Sequence, residues 1–169
     1  MFNRINLIPY DSVEEQFGVI SEPIGEITDD IIRFCHELAQ IMYDNDGIGI
    51  SAPQVGVNKR IIVIDCSPNK NETVYLINPE ILWQSPQISQ KTEECISYPG
   101  LKVPITRPRR IKIAGLDLDG KKVEFEAVGL YASRIYHEVD HLNGIAFTRR
   151  CSRQVRRHLM RKWLKNNER

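Results

Sequence analysis

The chain has 169 residues, of which 41% are apolar and 27% charged, a composition ordinary for one globular domain and incompatible with disorder, collagen or a repeat array. Its 23 Lys and Arg against 22 Asp and Glu give a net charge of +1, which taken alone argues against strong attraction to nucleic acid or anionic membranes. The charge is unevenly placed: residues 149–169 hold nine bases and one acid, leaving 14 bases and 21 acids in residues 1–148, so an acidic body carries a basic tail.

The first ten residues lack the basic start and unbroken apolar run of a secretory signal, and no apolar stretch reaches bilayer length. A soluble, cytoplasmic protein without membrane contact is expected. Cys35, Cys66, Cys95 and Cys151 form no closely spaced pair and are too few for a disulfide framework, which fits a reducing compartment.

In chain order, residues 28–44 read as the first long helix, with Thr28 as N-cap, Asp29 and Asp30 in the first turn, and Ile31, Phe34, Cys35, Leu38, Ile41 and Met42 at helical spacing. Asp44 to Gly47 ends it. Short extended pieces follow at Arg60 to Asp65, Thr73 to Ile77, Ile88 to Thr92, Ile111 to Leu116 and Val123 to Val128. The last two flank Asp117 to Lys121, a hairpin signal because Gly120 supplies the positive φ of such turns. A helix from near Gly129 to Asn143 and Gly144, and another through much of the tail, close the chain. Strands in the middle with helices at both ends make the fold α+β, as one domain over residues 1–169 with a basic C-terminal helix at 149–169.

The most informative segment is His137-Glu138-Val139-Asp140-His141. Histidines at i and i+4 share one helix face and can reach one metal, while Glu138 between them can take a proton from a water at that metal. Such a pentapeptide also arises by chance on surface helices, but only four histidines exist in the chain and two fall here. A catalytic site of this kind needs a third ligand and an open position for water. Gly144 matches one extended zincin pattern, but the ligand position beyond it is Phe147, and downstream only Cys151, His158 and Glu168 remain. The third ligand is therefore sought upstream.

Three segments, Gly47 to Gln54 (Gly-Ile-Gly-Ile-Ser-Ala-Pro-Gln), Glu93 to Ser97 (Glu-Glu-Cys-Ile-Ser) and His137 to His141, together resemble the signature motifs of the peptide deformylases in order and spacing, and the likeness covers roughly residues 5–150. The resemblance implies antiparallel sheets packed around a central metal-binding helix. It makes Cys95 the third ligand beside His137 and His141, around one divalent ion, Fe2+ in most of the family with Zn2+, Ni2+ or Co2+ able to replace it. The donor set itself suits several borderline ions. The reaction implied is hydrolysis of the N-formyl group of the initiator methionine of nascent peptides, with water made acidic by the metal and Glu138 as proton shuttle. The Gln54 side-chain amide and the Ile96 N–H would be the oxyanion donors. Gly49 and Ile48 would meet the substrate main chain, which would lie as an added strand.

Each residue has a plainer reading: Cys95 as buried filler, Gln54 as a loop amide beside Pro53, Glu138 as a surface charge, Asp140 as a helix support, and Glu93 as a partner of Arg107 behind the ligands. The chain also departs from the family pattern. Glu94 stands where glycine is usual, Lys102 where arginine is common, Ser51 where alanine is usual, and Arg134 where an apolar residue lines the methionine pocket, with Leu130 retained. The hydrolytic set is complete and the groove is unusual, so a deformylase with altered preference for the first side chain is expected. The rivals are a peptidase using the same chemistry and a non-catalytic or weakly active ribosome-associated protein.

In the tail, Val155, Leu159 and Trp163 recur every four residues, with Met160 and Leu164 beside them. This stripe docks a helix on the body. The arginines on its other faces suit contact with ribosomal RNA, as in C-terminal helices of some bacterial deformylases. A monomer is expected.

Overall fold

The computed structural model describes residues 6–167. Seven strands and four helices are present: α1 (Tyr10–Gln16), α2 (Asp29–Asp44), β1 (Gly49–Ser51), β2 (Ile61–Ile64), β3 (Val74–Gln84), β4 (Ile88–Glu93), β5 (Val103–Pro108), β6 (Arg110–Leu116), β7 (Lys122–Val128), α3 (Gly129–Leu142) and α4 (Arg153–Asn167). Among the described residues these strands pair only antiparallel, in a five-stranded sheet ordered β1-β2-β3-β6-β7 and a separate β4-β5 hairpin.

The run Ile61-Ile62-Val63-Ile64 explains the layering. An alternating pattern would mark one buried face; here all four residues are buried, so both faces must be covered. Ile61 and Val63 pack with Phe34, Leu38, Ala39 and Met42 of α2, while Ile62 and Ile64 pack with Ala132, Ile135, Val139 and Leu142 of α3. Each such side chain contributes about 1.5–3 kcal/mol of burial. The helix α3 is thereby fixed in rotation, and the face opposite its apolar stripe carries His137, Glu138 and His141.

Helix α2 begins where the sequence predicts, with Thr28 Oγ1 accepting from the Ile31 N–H and two aspartates in the first turn. The β6-β7 hairpin turns through Gly120 at φ +76°, its Asp117 carboxylate accepting from the Asp119 and Lys121 N–H groups.

Several elements differ from the sequence expectation, among them β3, which runs on to Gln84. Helix α1 has only seven residues, too few for a periodic signal, and is held by Val13 and Phe17 in a third cluster with Tyr98, Val103, Ile105, Phe147 and Trp163. Strand β5 includes Pro104 and Pro108, which a two-stranded ribbon tolerates because one side of each strand needs no donor. Strand β1 is three residues long and pairs only through β2. In the tail, α4 starts at Arg153 rather than 149, because Phe147–Arg150 forms a 3-10 turn that buries Phe147 first. The expected stripe docks: Trp163 is buried and donates through Nε1 to the Pro99 carbonyl at 2.8 Å, with Leu159, Met160 and Leu164 against the same cluster. Among the described residues no helix is long and apolar enough to cross a membrane.

Candidate metal centre and substrate cavity

Cys95 follows the end of β4, and His137 and His141 project from α3. The ligand atoms these three residues offer lie within 4.8 Å of one another, and all three residues are buried. The hydrogen bonding of the imidazoles fits a cation at this point. His137 Nδ1 is 2.8 Å from Glu93 Oε2, and His141 Nδ1 is 2.9 Å from Ser51 Oγ, so both Nδ1 atoms are occupied. Both Nε2 atoms are buried without a hydrogen-bond partner. Buried polar atoms are rarely left so, and two imidazole lone pairs beside a cysteine sulfur form a donor set for a divalent ion. Burial pushes the Cys95 thiol up, but the two imidazoles of His137 and His141 facing its sulfur outweigh it and hold the thiol down at about 6, so the thiolate form is available at neutral pH.

Behind the ligands lies a buried ionic lattice. The Arg107 guanidinium donates to both Glu93 oxygens, at 2.6 and 2.9 Å, and to Asp140 Oδ2 at 2.6 Å. Ser133 Oγ donates to Glu93 Oε1 at 2.9 Å. Burial opposes ionisation of Glu93, but Arg107 and His137 hold its carboxyl well below the usual range. Asp140 also accepts from Arg150 through Nε, at 2.9 Å, and through Nη2, and it stands away from the metal ligands as a partner of two cations. The pairing of Glu93 with Arg107 matches the sequence reading; its further bond to His137, which fixes the imidazole orientation, is additional.

Glu138 is buried beside His141, with Oε2 at 3.1 Å from Nδ1. Burial raises its carboxyl, but His141, His137 and Arg134 bring it below the ordinary carboxylate value. Gln54 sits in the 3-10 turn after β1. Its Oε1 accepts from the Ser51 N–H at 2.9 Å and from Ser51 Oγ at 3.0 Å. Its Nε2 is thereby turned to the opposite side, 3.5 Å from Cys95 Sγ and 3.0 Å from Ser97 Oγ. The departure at Ser51 thus has a physical role: one hydroxyl joins His141 to Gln54.

A cavity of about 460 Å³ opens onto this cluster, lined by Ile48, Gly49, Glu94, Cys95, Ile96, Arg134 and Glu138 among others. Two residues expected at the substrate are not in this lining. Leu130 is one helical turn before Arg134, 49% exposed and outside the cavity lining. Lys102 also lies outside the lining and approaches Glu94 Oε1 at 3.5 Å, so the extra acid has a basic neighbour. Glycine at position 49 also answers to the neighbouring helix. A Cβ there would fall 2.6 Å from Arg134 Cδ and 2.8 Å from Glu138 Oε1, so the side chains of α3, and not a substrate alone, require its absence.

Residues 12–157 match the family model for polypeptide deformylase. The chain belongs to the peptide deformylase family. It is 39% identical over 163 residues to the peptide deformylase of Hydrogenovibrio crunogenus, covering 96% of this chain and 95% of that one. It is 41% identical over 150 residues to that of Thermodesulfovibrio yellowstonii, covering 88% and 90%. Among solved structures, a peptide deformylase from Legionella pneumophila superposes with a TM-score of 0.87 at 30% identity over 99% of this chain and 96% of that one. The Synechococcus elongatus deformylase in complex with actinonin gives 0.88 at 30% identity, over 99% and 90%. The protein is accordingly an enzyme of this metal-dependent hydrolase family, and the non-catalytic reading is not favoured.

Proposed function

We propose that the chain removes the N-formyl group from the initiator methionine of nascent peptides, with an altered preference at the first side chain, releasing formate, as a monomer in the cytoplasm. The observation that carries the site assignment is the pair of unpartnered Nε2 atoms beside Cys95, with Glu138 and the Gln54 amide next to them. Cys95, His137 and His141 would hold the ion, Fe2+ foremost, with Zn2+, Ni2+ and Co2+ suited to the same donors. When bound, the ion supplies Lewis acidity and makes water acidic enough to serve as a nucleophile near neutral pH.

The chain's own groups do the rest. Glu138, ionised because of its neighbours, accepts a proton from the attacking water at a carboxylate oxygen and returns it to the departing amine nitrogen as the C–N bond breaks. The Gln54 Nε2–H and the Ile96 N–H face the oxygen on which charge develops; losing one such donor costs about 3–4 kcal/mol of transition-state stabilisation. Strand β1 is an edge of its sheet, so Ile48 and Gly49 offer the peptide main chain a strand to pair with beside the cavity. The test is formate release from formyl-Met-Ala-Ser and from its counterparts with other first residues, by anaerobically prepared, metal-loaded protein. Absence of formate at one equivalent of metal would overturn the reading, and cleavage of internal bonds in an N-acetylated peptide would put a peptidase in its place.

Helix α4 carries Arg153, Arg157 and Arg161 at four-residue intervals on the face that, with Gln154 and His158, lines a surface groove. This face suits phosphate contact, and we assign it to ribosomal RNA. Because Trp163 bonds Pro99 next to the substrate cavity, truncating the helix would disturb the site as well. Replacing the three arginines by glutamate is the cleaner test: ribosome co-sedimentation should be lost, and in the parent protein it should fall steeply with salt.

A further inference from the structure

The substrate cavity contains a guanidinium with unspent donors. From α3, the Arg134 stem crosses directly over Gly49, and Nη1 donates to the Glu94 carbonyl at 3.1 Å. This is its one hydrogen bond among the described residues, and its Nε is buried with no partner. The same cavity reaches Cys95 and Glu138, so a peptide whose formyl group lies at the metal cluster has its nearest side chain in reach of Arg134. A thioether is a poor acceptor, and placing it here would strip water from a cation while satisfying none of its donors. An oxygen acceptor at the same distance along the side chain would satisfy them. A carboxylate would be opposed, because Asp46, Glu94 and Glu138 line the same space.

Resting on the deformylase reading, we propose that Arg134 is a specificity-determining residue that selects N-formyl peptides whose first side chain carries a neutral oxygen acceptor near the position of the methionine sulfur. Methionine sulfoxide and glutamine belong to this class. A site built to hydrogen-bond such a group discriminates against analogues lacking it, because its own donors are then left unpaired.

The experiment uses metal-loaded protein and two near-isosteric pairs, formyl-methionine sulfoxide with formyl-methionine and formyl-glutamine with formyl-norleucine, each on the same following peptide, with formyl-glutamate as a fifth substrate. In the parent protein kcat/KM should favour the oxygen-bearing member of each pair, with formyl-glutamate below formyl-glutamine. Arg134→Met should shift each ratio at least tenfold toward the apolar member, mainly through KM, and Arg134→Lys, which keeps the stem and charge with fewer directed donors, should fall between. Ratios that are the same in all three proteins would overturn the proposal, as would a parent protein that prefers norleucine to glutamine. Dissociation constants of the corresponding N-acetyl peptides, measured by calorimetry, read recognition without turnover. Formate release with unmoved ratios defeats this inference and leaves the deformylase reading intact. N-acetyl affinities that follow Arg134, with no formate from any peptide, do the reverse.

Discussion

Arg107→Met tests whether the lattice behind the metal ligands is a structural necessity. In the parent protein Arg107 is only 3% exposed, and its guanidinium holds Glu93 through two bonds and Asp140 through one. Asp140 keeps Arg150 after the substitution, but Glu93 is left with Ser133 and His137 only. Removing one partner of a buried pair leaves an uncompensated charge and costs about 3–5 kcal/mol. For a domain of this size that lowers Tm by roughly 6–20 °C. Glu93 also orients His137, so metal affinity should fall about 10–100-fold. Thermal melts of the metal-loaded and metal-stripped proteins at pH 7, with chelator competition, measure both effects. The sign with pH is fixed by Glu93: its depressed folded value means the stabilisation is complete above the unfolded carboxyl value of about 4.3 and is lost as pH falls towards the folded one. The gap between parent and variant should therefore narrow at acid pH. The double variant Arg107→Met with Glu93→Gln, which removes the stranded charge, should be more stable than the single one. A Tm loss below about 2 °C, or a double variant no better than the single, refutes the reasoning.

Three further outcomes are expected. Glu138→Gln should retain the metal, as read by elemental analysis, while kcat falls by about 10²–10⁴ with the loss of the proton acceptor; near-normal turnover would remove Glu138 from the shuttle role. With His141 Nε2 reserved for an ion, its Nδ1–H donates to Ser51 Oγ, so Ser51→Ala should weaken metal binding about 10–100-fold in chelator competition, and unchanged binding would mean the hydroxyl does not orient the ligand. Metal uptake by the stripped protein should weaken as pH drops below about 6, where the metal-free Cys95 thiol takes up its proton and competes with the ion, and an uptake curve flat to pH 4 would contradict the assignment of thiolate as ligand.

The sequence was most legible where a signal is local. The i, i+4 spacing of His137 and His141, the Thr28 cap and the Asp117 to Lys121 turn depend on residues within one or two turns of chain, and each stands where the pattern places it. What stayed hidden depends on separations no local pattern encodes. Ser51 meets His141 across 90 positions, Glu93 meets His137 across 44, and Arg107 meets Asp140 across 33. Read alone, Ser51 is a small residue in a loop, and Lys102 and Leu130 look like pocket residues because of their place in a motif; neither is in the lining of the cavity beside Cys95.

The two departures at 94 and 134 show why position-by-position comparison misleads. Each looks like an isolated charge set into a peptide groove. In the fold, Arg134 spends one donor on the backbone carbonyl of residue 94, a contact indifferent to which side chain stands there, while the Glu94 carboxylate turns to Lys102. Placing glycine at 94 alone should therefore leave the Arg134 latch in place and change the preference among neutral side chains little, easing only the exclusion of a carboxylate. Substituting Arg134 alone frees both the Glu94 carbonyl and the space over Gly49. On the proposed reading, specificity rests on one side chain of α3, set one turn before the residue assigned to move the proton, so selection of the substrate and its chemistry would share the same rigid element.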